Sequence, residues 1–303
     1  MVSDTPSLIV NGNAPFFGAF FCVFCKNERQ CSVFQAVSTP FFTSKVGGLN
    51  RLDWVGMLRF RHSIPHSTVQ ALQIAKAKGI RIFISTGRPY ALINNLDAIK
   101  HLIDGYITAN GAYCFVGEKP VSCTPIPANE VEWIINQADA QDFACIVVGQ
   151  KDYTTIHPSS ESERIFKGLL NVPDLRSHVP LSLVLSQPIL QLTPFISTSQ
   201  EAQFVSSLQH VESSRWHPDF ADFTAKGVNK AKGLREMAAS QHIDISETMA
   251  FGDGGNDVPI LQAAGIGVAM GNASIDVKKA ADYTTSSVDD DGIYNALKYW
   301  SII

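Results

Sequence analysis

Charge is scarce in this chain: Asp, Glu, Lys and Arg make up 17% of its 303 residues, and the net charge is −4. That balance excludes binding to nucleic acid or an anionic membrane by bulk electrostatics. An anionic ligand would need a local site. Cysteine is also sparse. Cys22, Cys25, Cys31, Cys114, Cys123 and Cys145 are the whole set, and their spacing is not a disulfide framework for a chain of this length. Free thiols in a reducing, cytoplasmic compartment are the expectation. Cys22-x-x-Cys25 has neither a second pair nor a flanking βαβ pattern, so it carries little weight as a metal or redox motif. Long apolar runs are missing too. Residues 14–25 (APFFGAFFCVFC) are too short to span a bilayer, no basic segment precedes them, and no cleavage-like site follows. No signal peptide, membrane span, internal repeat or low-complexity tract is expected.

What is present is apolar material in abundance, 45% of the chain, enough for a full core in one large or two medium domains. Residues 1–50 crowd Phe among Gly, Ser, Thr and Asn, and show no lasting period. From Ile64 the pattern becomes regular. VQALQIAKAKG predicts a helix capped by Ser67 or Thr68, with Val69, Leu72 and Ala75 on one face and Gly79 just past its end. IRIFIS (80–85) predicts a strand buried on both faces. The same alternation returns near the end: KAKGLREMAAS, VPILQAA, SIDVKKAA and DGIYNALKYW read as helices, and TMAF, IGVAM and DYTT as strands. That is the grammar of a parallel sheet. Between 113 and 213 the grammar changes. ANEVEWIINQADA and SQEAQFVSSLQHV read as helices, and ACIVVG, LSLVLSQ and ILQLTPFIS as strands. This predicts an α+β insert, with core segments at 51–112 and 214–303 and an unassigned segment at 1–50.

Three small clusters sit where strands end, the edge at which open α/β sheets bind ligands. Thr86-Gly87 in STGRP (85–89) offers a hydroxyl and a close backbone N–H, both suited to a phosphate oxygen; Thr86 equally suits a helix cap. Lys230 in KGVNK (226–230) stands at a helix start, where the dipole disfavours a cation unless it faces an anion or carboxylates. Lys226 and Lys232 read as surface lysines. FGDGGND (251–257) packs two aspartates, an asparagine and three glycines into seven positions behind an apolar strand. An ordinary turn needs one or two of these. Asp253, Asn256 and Asp257 supply the hard oxygen donors of a Mg²⁺ site. The three clusters together are the equipment of phosphoryl transfer.

These motifs resemble those of the haloacid dehalogenase-like (HAD) superfamily, in particular its Cof-type phosphatases. Thr86-Gly87-Arg88 is similar to the end of the family's second motif, Lys230 in KGVNK to its third, and GDGGND (252–257) to its fourth, GDxxND. AAGIGVAMGNA (263–273) and ADYTTSSVDDDGI (281–293) resemble the family's trailing sequence, and ITANGA (107–112) its NGA turn. The resemblance begins at about residue 64 and reaches the C-terminus. It implies a Rossmann-like parallel-sheet core with an inserted α+β cap, Mg²⁺ as cofactor, and hydrolysis of small phosphomonoesters such as sugar phosphates. It implies Asn110 as a secondary phosphate contact. It also implies an attacking aspartate that forms an aspartyl-phosphate, and a second aspartate two residues later as acid and base.

Those two aspartates belong to a DxDGT motif that this chain lacks. The nearest match is LDWVGML (52–58): Asp53 falls on the nucleophile and Gly56 on the glycine, but Val55 replaces the acid/base aspartate and Met57 the threonine. Three readings stay open. Asp53 is a surviving nucleophile in a damaged site; the chain is an inactive phosphate-binding remnant; or residues 1–60 are not the natural start, as after a frameshift or deletion. The abrupt change of pattern near residue 60 is what the third predicts.

Overall fold

The computed structural model describes residues 20–24, 64–170 and 179–303. Asp53, and with it every question about the nucleophile, lies outside the described residues. The first elements in chain order are β1 (Phe20–Phe24), α1 (His66–Ala77), β2 (Arg81–Ser85), β3 (Gly105–Thr108), β4 (Tyr113–Val116), β5 (Lys119–Cys123) and α2 (Ala128–Gln141). Next come β6 (Cys145–Gly149), β7 (Tyr153–Ile156), α3 (Ser160–Leu170), α4 (Leu181–Leu185), β8 (Ile189–Pro194), α5 (Thr198–Ser207), β9 (Val211–His217) and β10 (Phe220–Ala225). The chain closes with α6 (Lys230–Ser240), β11 (Thr248–Gly252), α7 (Val258–Ala263), β12 (Ile266–Ala269), α8 (Ile275–Ala280), β13 (Tyr283–Thr284) and α9 (Gly292–Tyr299).

One sheet runs β13-β12-β11-β1-β2-β3-β4-β5. The pairs β2–β3, β11–β12 and β12–β13 are parallel, as the alternating pattern predicts. β1 occupies the slot between β2 and β11 and runs antiparallel to both, with Cys22 opposite Phe83 on one side and Ala250 on the other. Both central ladders are therefore made, and the backbone groups of β2 and β11 find partners. Side chains alternate across β2. Ile82 and Ile84 join Leu72, Ala75, Ile293 and Leu297 from α1 and α9 on one face. Phe83 joins Leu234, Met237, Ile260 and Leu261 from α6 and α7 on the other. Burial on both faces is why this strand reads as a continuous apolar run.

The second sheet, β7-β6-β8-β10-β9, is antiparallel throughout. Val131, Ile134 and Ala138 of α2 and Phe204 of α5 cover its Val147–Leu192–Phe223 face. The hairpin β4–β5 extends the first sheet, and β9–β10 belongs to the second. Residues 124–225 hold the strands of the second sheet and the helices between them.

Two local expectations are corrected. LSLVLSQ forms helix α4 and not a strand, because Pro180 opens a helical turn and only Val184 is buried, while Leu183 and Leu185 stay exposed. α1 starts at His66 behind Pro65, so neither Ser67 nor Thr68 caps it; Thr68 is buried in its first turn. Gly79 does sit past the helix end, at φ +82°. Cys114, Cys123 and Cys145 are free thiols; burial pushes the Cys114 thiol up to about 12 and the Cys145 thiol upward too. Among the described residues no helix is long and apolar enough to cross a membrane.

Glu130 ties α2 to the 209–210 corner. Its carboxylate accepts from the backbone N–H of Gln209 at 2.9 Å and of His210 at 3.0 Å, and meets His210 Nδ1 at 3.0 Å. Burial pushes this carboxyl up, but the His210 imidazole and the two backbone donors together hold it below its ordinary value. Its stabilisation is therefore complete above the unfolded value of about 4.3 and is lost as pH falls through the lower folded value. Urea unfolding of wild type and Glu130→Gln should show a constant gap in midpoint from pH 7 to about 4.5, shrinking below that. A gap that is independent of pH would show that Glu130 acts only by its shape.

Candidate active site

Lys230 opens α6, and its neighbour Asn229 caps that helix by accepting from the Lys232 N–H at 2.9 Å. An ammonium at a helix N-terminus is disfavoured by the helix dipole. Here it is also wholly buried, so it requires a counter-charge. Asp257 provides it: Lys230 Nζ donates to Asp257 Oδ1 at 2.6 Å, with both side chains 0% exposed.

Asp257 ends the GDGGND loop and holds it folded. Its Oδ2 accepts from the backbone N–H of Gly254 at 2.8 Å and of Asp253 at 3.2 Å. Gly252 is required at the strand end, because a Cβ there would lie 2.6 Å from Asp257 Cβ. Burial pushes the Asp257 carboxyl above its ordinary value, and the Lys230 charge and hydrogen bond, then the two backbone donors, oppose that push. Three donors converge on two oxygens, an arrangement that only the ionised form satisfies fully. Asp257 does not cap α7 with its side chain, as a plain Asp-Gly turn would have it.

Asp253 stands just past the end of β11, and its Oδ2 accepts from Asn272 Nδ2 at 3.1 Å. Asn256 Nδ2 donates to Asn110 Oδ1 at 3.1 Å, so the GDGGND loop meets the NGA turn directly. Asn110 is in the left-handed region at φ 55°, followed by Gly111 at φ +97°. A Cβ on Gly111 would lie 2.4 Å from the Asn229 carbonyl oxygen, so only glycine lets this turn sit against the start of α6. The turn is also tied to β2: Asn110 N–H donates to the Thr86 carbonyl at 3.1 Å, and Ala109 N–H to that of Arg88 at 3.1 Å. Thr86 is fully buried, and its Oγ1 accepts from the Arg88 N–H at 3.0 Å. That bond leaves the hydroxyl proton to donate elsewhere. The Arg88 guanidinium turns to its own loop, toward the Leu92 carbonyl and Asn94.

Thr86, Gly87, Asn110, Lys230, Asp253, Asn256 and Asp257 are thus brought to one edge of the sheet, linked by hydrogen bonds or chain adjacency. Lys226 instead donates to the Gln209 carbonyl, and Lys232 to Thr124 Oγ1. Asn272 is a member that sequence reasoning missed. Its signal was present: it follows strand β12 in AMGNA, at the same edge as the other clusters.

The donors of this edge suit a hard cation. Asp253 contributes a carboxylate and Asn256 an amide oxygen, while Asp257 is largely committed to Lys230 and the loop. No group of three or more His, Cys, Asp or Glu gathers for a metal among the described residues. Mg²⁺ typically takes one or two carboxylates and fills its octahedron with water and substrate phosphate, so the residues present fit it.

The model of a family described as haloacid dehalogenase-like hydrolases matches residues 57–297. Its match begins beyond Asp53. The 5-amino-6-(5-phospho-D-ribitylamino)uracil phosphatase YcsE of Bacillus subtilis (strain 168) is 36% identical over 240 residues, 76% of this chain and 86% of its own. The structure of the HAD subclass IIB sugar phosphatase BT4131 superposes with a TM-score of 0.72 at 44% identity, covering 82% of this chain and 96% of that one. BT1666 from Bacteroides thetaiotaomicron, a HAD phosphatase, gives a TM-score of 0.70 at 35% identity over 80% and 90% of the two chains.

Removing one partner of a buried ion pair strands the other charge, a loss of about 3–5 kcal/mol. Lys230→Met and Asp257→Leu should each lower the urea midpoint by that equivalent, and the double variant should lose clearly less than the sum. Additive losses would mean the two charges are not coupled.

Proposed function

We propose, from the premise that this chain belongs to the haloacid dehalogenase-like hydrolase family, that it is a Mg²⁺-dependent phosphatase of small phosphomonoesters such as sugar phosphates. One observation carries this reading. A buried lysine, a cation-suited Asp-Asn loop and a Thr-Gly turn, from distant parts of the chain, are held at one strand-end edge by direct hydrogen bonds.

Each group has a role that follows from its chemistry. The Thr86 hydroxyl and the Gly87 backbone N–H donate to phosphoryl oxygens. Lys230 sets a fixed positive charge beside them, and Asp257 fixes where that charge sits. Asn110 stands second in line to the phosphoryl group and also orients Asn256. Asp253 and Asn256 would hold Mg²⁺, steadied by Asn272. A Mg²⁺ held there would supply neutralisation of charge on the phosphoryl group. Because these groups are already oriented, little reorganisation is needed as charge develops.

Asp53 remains the candidate for the attacking carboxylate that would form an aspartyl-phosphate. Val55 beside it cannot give or take a proton, and general acid–base help is typically worth ~10²–10⁴-fold in rate. That substitution favours a second reading, in which the chain binds phosphate without turning it over.

Hydrolysis of p-nitrophenyl phosphate separates the two. The phosphatase reading expects turnover that requires Mg²⁺ and falls at least ~100-fold in both Asp253→Ala and Asp53→Asn. Turnover indifferent to Mg²⁺ and to Asp253 would refute the site assignment. A folded protein that binds inorganic phosphate but releases no nitrophenol would establish the second reading instead.

A further inference from the structure

Helix α8 carries two adjacent lysines in its last turn, where a cation suits the helix dipole. Lys279 is exposed there. Lys278 is half-buried, and its neighbour Val277 is anchored in the core in one cluster with Leu261 and Ala273. The Lys278 ammonium does not serve a carbonyl of its own helix. It donates to the carbonyl of Gly271, in the turn before the helix, at 2.5 Å. A bond with a charged donor is among the stronger kinds.

Gly271 is pinned from the other side as well. Its N–H donates to the Ser286 carbonyl at 3.0 Å. A Cβ on it would lie 2.6 Å from the Ser287 nitrogen and 2.7 Å from the Ser286 carbonyl carbon, so this turn abuts the 285–287 segment directly. That segment is itself tied down: Thr285 N–H donates to the Ala269 carbonyl at 2.9 Å, and Thr285 Oγ1 to the Gly292 carbonyl at 2.7 Å. The carbonyl that Lys278 holds belongs to the peptide unit leading into Asn272. The Asn272 amide lies between two partners that demand one orientation. The Val288 N–H can only donate, and it meets Oδ1 at 3.4 Å. An ionised Asp253 can only accept, and its Oδ2 meets Nδ2 at 3.1 Å. A continuous series of contacts thus runs from Lys278 through Gly271 and Asn272 to Asp253.

We infer that Lys278 is a positioning residue of the cation site, acting through Gly271 and Asn272 on Asp253 and not on the ligand itself. The inference rests on the assignment of Asp253 to the cation made above, and adds what holds that carboxylate still. Its effect is opposite in sign to that of bare charge. A lysine felt only through its charge repels a nearby cation, so removing it tightens cation binding. A lysine that holds Asp253 in place favours the cation, so removing it weakens binding.

Mn²⁺ titration of the full chain, followed by the electron paramagnetic resonance signal of the free ion, tests this without requiring turnover. Lys278→Met and Asn272→Leu should each weaken Mn²⁺ binding about tenfold or more, the usual cost of losing a group that orients a metal ligand. The double variant should lose clearly less than the product of the two, because both act in one series. Lys278→Arg, which keeps a charged donor, should retain most of the affinity. Lys279→Met, which removes the same charge from an exposed position, should not weaken binding. Lys278→Gln, shorter and neutral, stands in if Lys278→Met does not fold. Unchanged or tighter binding in Lys278→Met, a loss that Lys278→Arg does not restore, or independent losses in the double variant would overturn this inference alone. Folded wild type that binds no Mn²⁺ would overturn the cation assignment together with it.

Discussion

The buried ion pair between Lys230 and Asp257 is the constraint on which the rest of this site depends. It places a cation at a helix start, against the dipole, and offsets that cost with a carboxylate at 2.6 Å. Asp257 in turn gathers the N–H groups of Gly254 and Asp253, so one residue sets both the lysine and the loop that carries Asp253 and Asn256. From Asn256 the constraint passes to Asn110, and from Asn110 to Thr86. A pair that is weak as a stabiliser can be strong as a locator, because in a dry interior its geometry has few alternatives.

The same logic explains the division of labour between the two acids. In the sequence they look equivalent, two aspartates around a Gly-Gly pair. Burial separates them. Asp257 has its oxygens filled by protein donors and acts as a brace. Asp253, steadied by Asn272 at 3.1 Å, is the acid at the strand end with the character of a cation ligand. Glycine does comparable work by absence of a side chain. Gly252 and Gly111 are sites where a Cβ would strike Asp257 and the Asn229 carbonyl, so the loops meet only because those positions are bare.

Much of this was legible in the sequence, and for a physical reason. Chemistry at strand ends needs particular residue types at fixed spacing, so GDGGND, KGVNK, STGRP and ITANGA stand out from the apolar pattern around them. The alternating strands and helices of the core were equally plain, because burial on both faces of β2 and β11 forces continuous apolar runs. The cap was harder. LSLVLSQ alternates as a strand should, but the period alone does not say which residues find a core, and only Val184 does. The hairpin β4–β5 belongs to the core sheet through long-range pairing, which no local pattern announces. Phe20–Phe24 sits in a Phe-rich stretch without periodicity, so its place between β2 and β11 could not have been read from it.

The claim at the centre is that one ion pair fixes a shared site for a phosphoryl group and a divalent cation. A crystal structure with tungstate as phosphate mimic and Mn²⁺ as Mg²⁺ mimic, both located by anomalous scattering, tests it most directly. The account predicts an intact Lys230–Asp257 pair, the oxyanion within about 3 Å of Lys230 Nζ and the Thr86 hydroxyl, and the metal on Asp253. Tungstate and metal bound away from these residues, or at this edge only after the pair has separated, would contradict it.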